Sequence, residues 1–392
     1  MKVLLISTPF LPLKRNLGYG GSERVVVSLY EQLKRINGSI EVYLAAPGTS
    51  EIADFHTISR PIGIDDIYGN RISDLDKTNL RLEHISLSIK FIKELEPHII
   101  HIHDDNFLPF MKFYKNSLLT LHSDPDSFWN PELHPNLVGK NTNLVAISEY
   151  TKKKYEERGW KILDVVYNGI DLDGIQPEKE KLNYLYWIGV INPHKGLHIA
   201  VQVALQTGYD LVFSGIIGNQ EYFSRHIEPF ITHNINNENN KLEAYLRISE
   251  RNKGQKIIYT GEVNNEQKYP LFSKATATLV PSLFYEPFGL VVVESLATGT
   301  PVIGSNIGGI SEIIEDEISG ILISTPEDIK ELEKLREPDN NSEIYRKIIE
   351  SYIDSLETIK RIEPEECRKR AEEFSSENMA NKYLDLYRKI LS

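Results

Sequence analysis

Two carboxylates eight residues apart, Glu286 and Glu294, lie in the stretch Pro281-Ser282-Leu283-Phe284-Tyr285-Glu286-Pro287-Phe288-Gly289-Leu290-Val291-Val292-Val293-Glu294. Carboxylates accept hydrogen bonds from hydroxyls, and sugars and riboses are built of hydroxyls. The apolar run at 277–280 reads as a strand, Glu286 falls in the loop after it, and a helix starting near Phe288 carries Glu294 on its second turn. A helix start leaves N–H groups without intrahelical partners at the positive end of its dipole. The N–H groups of Phe288, Gly289 and Leu290 therefore suit an anion such as a diphosphate. Taken alone, the two acids also fit a surface helix with solvated glutamates. The Pro-Ser…Glu-Pro-Phe-Gly context favours a sugar attached to a nucleoside diphosphate.

Two further segments could hold phosphate. Gly18-Tyr19-Gly20-Gly21-Ser22-Glu23-Arg24 sits between the first strand and the first helix, where consecutive glycines let a backbone approach a ligand. Trp187-Ile188-Gly189-Val190-Ile191-Asn192-Pro193-His194-Lys195-Gly196 reads as strand, turn and helix start. Its Lys195 could stabilise negative charge growing on a leaving diphosphate.

The elements that must position these groups alternate along the chain. Strands are expected at 3–7, 42–46, 99–103, 117–121 and 143–147, with helices at 21–36 and 82–95. A turn at Asn168-Gly169 closes this series, and a second begins: strands at 185–189, 210–214, 256–259 and 277–280, helices at 196–207 and 266–274. Such alternation predicts parallel sheets covered by helices. The Asn/Glu/Lys-rich segment 234–255 reads as a helical or mobile insertion. The acidic run 327–372 reads as a pair of solvated helices, and 376–390 as a final helix with Met379, Tyr383, Leu386 and Ile390 on one face.

A chain of 392 residues suits two domains. Its net charge of −12 argues against general nucleic-acid binding. Residues 1–170 are close to neutral and the acidic excess lies beyond, a distribution compatible with peripheral contact at an anionic membrane. The single cysteine, Cys367, permits no disulfide within the chain and reads as a bystander. Neither a signal peptide nor a run long enough to span a bilayer is evident, so a cytoplasmic location is expected, at the inner membrane face if membrane contact occurs.

The stretch around Glu286 and Glu294, with Gly299-Thr300-Pro301-Val302-Ile303-Gly304 and Gly308-Gly309-Ile310-Ser311-Glu312 after it, resembles the Glu-x7-Glu signature of the retaining glycosyltransferases of family 4 (glycosyltransferases group 1). The resemblance implies a GT-B fold: two Rossmann-like α/β domains facing each other across a cleft. Residues 1–172, joined by the C-terminal helix 376–392, would bind acceptor, and 173–375 would bind a nucleotide sugar. It implies diphosphate contacts at Gly20 and Gly21 and at Lys195, and base contacts in the loops at Gly215 and Val263. Glu294 would accept from ribose hydroxyls and Glu286 from the sugar. His122, after the strand at 117–121, would position the sugar and polarise the acceptor side. The catalytic set implied is His122, Lys195 and Glu286. The family's usual arginine is replaced by Val190, which removes one expected cation; His194 or Arg24 could take its place.

No cofactor and no metal are expected. Asp124-Pro125-Asp126 matches the metal-binding Asp-x-Asp of another glycosyltransferase fold, but three-residue matches are frequent by chance. Asp104-Asp105 beside His101 and His103 is equally well explained by polar strand ends. The expected reaction is retaining transfer of a hexose from a UDP-sugar, with a GDP-sugar kept open, to an acceptor hydroxyl on a glycan, lipid or small molecule. Variable loops near 9–16, 104–110 and 123–137 would shape that acceptor side, where Phe107, Phe128 and Trp129 could stack on a sugar or fill a loop core. The alternatives are a non-catalytic nucleotide-sugar-binding subunit, for which Val190 speaks, and a GT-B enzyme of another reaction type, such as a phosphorylase or epimerase.

Overall fold

The computed structural model describes residues 1–18, 20–36, 40–58, 72–125, 142–339 and 341–392. The chain divides into two compact units, Met1–Asp171 with Phe374–Ser392, and Leu172–Glu373.

In the first unit the strands are β1 (Lys2–Ile6), β2 (Glu41–Ala46), β3 (Phe55–His56), β4 (Ile99–Ile102), β5 (Ser117–Leu121), β6 (Asn143–Ala146) and β7 (Ile162–Val165). They pair in the order β3-β2-β1-β4-β5-β6-β7, every neighbouring pair parallel. Leu4, Ile6, Ile100, Ile102, Leu119 and Leu121 are buried in its core, as continuous apolar runs must be in a sheet covered on both faces. The order reverses between β1 and β4. Ligands of open α/β sheets bind outside the carboxyl ends of the strands at such a point.

The second unit repeats the plan with β8 (Tyr184–Ile188), β9 (Asp210–Ser214), β10 (His233–Asn234), β11 (Ile257–Tyr259), β12 (Ala277–Val280), β13 (Val302–Ser305) and β14 (Gly320–Ile323). Their order is β10-β11-β9-β8-β12-β13-β14, again parallel throughout. The reversal here falls between β8 and β12. The loops leaving these two strands carry Lys195 and Glu286.

Several elements differ from the sequence-based expectation. The helix expected from residue 82 begins at Asp74 and runs to Leu95. Ser73 caps it by accepting from the Asp76 N–H, while exposed Leu75 and Leu82 blur the apolar periodicity of its first turns. Segment 234–255, by contrast, contains a helix as one of its two readings expected, Lys241–Arg251, whose Ala244 and Tyr245 pack into the core. Among its described residues the acidic run holds three helices, Ile329–Lys334, Glu343–Ile359 and Pro364–Glu372, not two. The middle one is not simply solvated. It buries Tyr345, Ile348, Ile349, Tyr352, Leu356 and Ile359, and Tyr352 donates its hydroxyl to the Val280 carbonyl at 3.3 Å.

The last helix, Ser376–Leu391, packs in the first unit. Its Tyr387 hydroxyl lies 2.7 Å from His101 Nδ1, and its Tyr383 hydroxyl 2.7 Å from Thr120 Oγ1. Cys367 is buried, and burial pushes its thiol up to about 12, which leaves it unreactive.

Candidate functional site

The second unit builds its site from backbone constraints. Gly196, at φ +68°, brings its backbone against Pro281; a Cβ there would lie 1.9 Å from the Pro281 carbonyl oxygen. The Leu283 N–H donates to the His194 carbonyl at 2.8 Å, so the loop after β8 and the loop after β12 are tied together. On the other side the Gly309 N–H donates to the Glu286 carbonyl at 2.7 Å. Gly308, at φ +58°, lies so close that a Cβ would stand 2.3 Å from that same oxygen. The loop carrying Glu286 is thus fixed from both flanks.

This framing brings two of the expected catalytic residues into contact. Lys195 Nζ lies 2.8 Å from Glu286 Oε2, with the side chains 24% and 20% exposed. The ammonium also sits over the Phe284 ring, 4.5 Å from its centroid. Trp187 donates its indole N–H to the Lys195 carbonyl at 3.3 Å and steadies the loop. His194 packs edge-on against Phe284. Burial, then the Lys195 charge, hold its imidazole down to about 4. His194 is therefore neutral near pH 7 and adds no positive charge beside Lys195. Arg24, the other substitute considered, belongs to the first unit. Arg336, which the sequence did not single out, is a further positive charge acting on His194.

The helix carrying Glu294 begins at Leu290, two residues later than expected, with Gly289 as its N-cap at φ +115° and no side-chain cap. Phe288 and Gly289 therefore belong to the lead-in, and Phe288 is buried. Glu294 is not a solvated surface acid. It is 1% exposed and its Oε1 lies 2.6 Å from Lys268 Nζ, itself 1% exposed. Sequence reasoning missed Lys268. The only signal was a lysine in line, at i, i+3 and i+4, with the apolar Leu271 and Phe272 on one helix face.

The loops after β9 and β11 meet each other. Gly215, at φ +139°, donates its N–H to the Gly261 carbonyl at 2.8 Å and accepts at its own carbonyl from the Tyr259 hydroxyl at 2.9 Å. A Cβ on Gly215 would strike the Gly189 carbonyl. Val263 is buried just before the helix that bears Lys268.

In the first unit, Gly20 is the N-cap of the helix Gly21–Arg35 at φ +104°. Glu23 folds back beneath it, accepting from Thr8 Oγ1 at 2.6 Å and Ser22 Oγ at 3.1 Å. A Cβ on Gly20 would meet Glu23 at 2.8 Å, whereas one on Gly21 would meet nothing within 4 Å. Tyr19 lies outside the described residues.

His122 follows β5, and its Nε2 lies 2.9 Å from His103 Nδ1, one nitrogen donating and the other accepting. Burial keeps His122 neutral, down to about 4, and puts His103 and His101 well below the usual imidazole range. His103 and the tyrosines of the last helix were not singled out as site residues; the alternation His101-x-His103 along a strand was the available signal. Asp104 is buried and its carboxyl raised by burial; Asp105 is raised to about 6 by burial and the neighbouring Asp104 charge. Among the described residues no three His, Cys, Asp or Glu side chains gather as metal ligands. Asp126, Phe128 and Trp129 lie outside the described residues. Phe107 fills the core and is not a stacking surface.

Residues 19–173 match the family model described as Glycosyltransferase Family 4, and residues 171–352 the one described as Glycosyl transferases group 1. An uncharacterized glycosyltransferase of Methanocaldococcus jannaschii is 30% identical over 163 residues, which is 41% of this chain and only 40% of that protein. The O-antigen chain mannosyltransferase C of Escherichia coli is 23% identical across 95% of both chains. Among solved structures, sucrose-phosphate synthase from Thermosynechococcus elongatus superimposes with a TM-score of 0.68 at 17% identity, over 99% of this chain and 98% of that one. Anabaena HepE in complex with UDP-glucose gives a TM-score of 0.60 at 15% identity, over 99% and 100%. With both units matched in turn and the parallel-sheet architecture shared from end to end, the chain belongs to a glycosyltransferase family and has the GT-B fold.

Proposed function

We propose that the protein transfers a hexose from a nucleoside-diphosphate sugar, UDP-sugar favoured, to an acceptor hydroxyl with retention at the anomeric carbon. The observation that carries this reading is the contact between Lys195 and Glu286 at the strand-order reversal of the second unit. A cation and a carboxylate held side by side suit the two halves of a nucleotide sugar. Lys195 would stabilise the departing diphosphate, and Glu286 would accept from sugar hydroxyls as the anomeric centre becomes oxocarbenium-like. The N–H groups at Phe288, Gly289 and Leu290 would receive phosphate oxygens. Gly20 and Gly21 would supply further diphosphate contacts, Gly215 and Val263 base contacts, and Glu294 ribose contacts.

In this reading no side chain serves as a covalent nucleophile. The acceptor hydroxyl would attack the face the diphosphate leaves, its proton passing to the leaving phosphate oxygen, with His122 as a neutral polar group on the acceptor side. The uridine preference draws support from the UDP-glucose complex of Anabaena HepE. A GDP-sugar and the choice of hexose stay open, as does the acceptor. A metal-independent reaction and a cytoplasmic location are part of the same reading. Among the described residues no helix is long and apolar enough to cross a membrane.

The test is a thermal-shift panel of UDP-, GDP- and ADP-sugars, because a bound donor raises apparent stability. The donor that shifts the midpoint is then incubated with an acceptor panel, and the product linkage is read by NMR. The expected result is one preferred nucleotide, an anomeric configuration matching the donor, and a rate unchanged by EDTA. No shift with any nucleotide sugar, or an inverted product, would overturn the proposal.

A further inference from the structure

The Lys268–Glu294 pair poses a question of stability. Both side chains are 1% exposed, with Nζ and Oε1 2.6 Å apart. Lysine and glutamate are almost never fully buried unless paired. A buried pair is nevertheless a weak source of stability, because desolvating two ions cancels most of their attraction, and apolar residues of similar volume often do as well. The two helices that carry the pair have such residues: Val292, Val293, Leu296, Leu271 and Phe272 are all buried. Packing alone does not call for charge here.

Position supplies a reason. Lys268 stands on the helix Asn265–Lys274, which is started by a full capping box between Asn264 and Gln267. That cap follows directly on the loop of Gly261 and Val263. The same rigid element therefore leads in from the base-side loop and delivers an ammonium to the carboxylate proposed to meet the ribose. An unpaired carboxylate in this apolar setting would have to take up a proton or turn toward water. The Lys268 ammonium, 2.6 Å from Oε1, favours the charged form and steadies the carboxylate's position.

We infer that Lys268 is a positioning residue that fixes Glu294 as a ribose-hydroxyl acceptor and so sets the enzyme's preference for ribonucleotide over deoxyribonucleotide donors. The inference rests on the proposed role of Glu294 in donor binding. It adds a residue that acts through Glu294 and a selectivity that follows from it.

The experiment compares the affinities of UDP, 2′-deoxy-UDP and 3′-deoxy-UDP by titration calorimetry, with GDP and its deoxy forms used if GDP is the nucleotide that binds. Proteins are the wild type, Lys268→Met, Lys268→Arg and the double variant Lys268→Met/Glu294→Gln. In the wild type, loss of at least one ribose hydroxyl is expected to weaken binding about tenfold or more, as for a hydrogen bond to a charged group. Lys268→Met should shrink that ratio to within about twofold while changing the affinity for the deoxy nucleotide little; Lys268→Arg should restore part of it. The double variant, which has no buried charge, should recover thermal stability but not discrimination, separating a positioning role from a structural one.

Full wild-type discrimination in Lys268→Met, or in the double variant should the single one fail to fold, would overturn the inference. Equal wild-type affinity for the ribo and deoxy forms would instead remove Glu294 from the ribose, a failure of the underlying reading visible before any variant is made.

Discussion

At the scale of single residues the candidate site of the second unit sets two ion pairs of opposite exposure against each other. Lys195 and Glu286 are partly open to solvent and can exchange each other for ligand oxygens. Lys268 and Glu294 are buried and hold each other at 2.6 Å. The first pair's energy in the free protein is modest, and under the proposed function it is the pair that would respond to substrate. Lys195→Ala is expected to lower kcat by about 10²–10³-fold, the scale for one preorganised charge on a transition state, with a smaller change in donor KM. Lys195→Arg should recover part of the rate; steady-state kinetics on the preferred donor decides it. An unchanged kcat would leave Lys195 as an ordinary loop cation. Glu286, Glu294 and Lys195 were legible in the sequence because each stands in a local run of recognisable type. Lys268 was not, since its partner lies 26 residues on and only folding brings them together. The charge state of His194 was not legible for a related reason: it is set by burial and by Lys195, neither of which composition reveals.

At the scale of elements, glycine decides where the acid stands. Gly308 combines a left-handed backbone with a contact that leaves no room for a side chain beside the Glu286 carbonyl. Gly308→Ala should cost roughly 1–3 kcal/mol in denaturant unfolding, from strain and displacement together. Because the displaced atoms belong to residue 286, the donor KM should rise as well. A variant of normal stability and normal KM would show that the turn does not hold the loop. Buried central strands such as β1, β5, β9 and β12 were readable as short apolar runs bounded by turns. The edges were not. β3 and β10 have two residues each, too few for any periodicity. The helix Asp74–Leu95 opens on a polar face whose start is marked only by the Ser73 cap. The acidic run was read by its charge, yet the helix Glu343–Ile359 is held by tyrosines and isoleucines spaced one turn apart between those charges.

At the scale of the whole molecule, buried imidazoles govern the response to acid. His84 and His122 are held down to about 4 by burial, His198 to about 3, and His101 and His103 lie well below the ordinary range. The unfolded chain takes up these protons near pH 6.5, and the folded chain refuses them until far lower pH. The stability they contribute is thus complete above about pH 6.5 and drains as pH falls toward 4, by roughly 1.4 kcal/mol per group per pH unit. Asp105, raised to about 6, works in the opposite sense: its contribution is present at low pH and lost as pH rises from about 3.8 through 6, so it offsets part of the loss on acidification. Five histidines outweigh it. Thermal midpoints should fall steeply between pH 7 and 5, and His84→Gln should flatten that slope; a midpoint independent of pH in this window would contradict the burial of these rings. The helix Ser376–Leu391 has a different consequence, one of timing. The opening half of the chain leaves the ribosome well before the tyrosines that seat on His101 and Thr120 have been translated. Until they arrive, the first sheet carries an unsealed flank, a surface on which a chaperone could wait. Ending translation after Glu373 should therefore yield a product whose amino-terminal half is proteolysed while its carboxyl-terminal half survives, a pattern limited digestion reads directly.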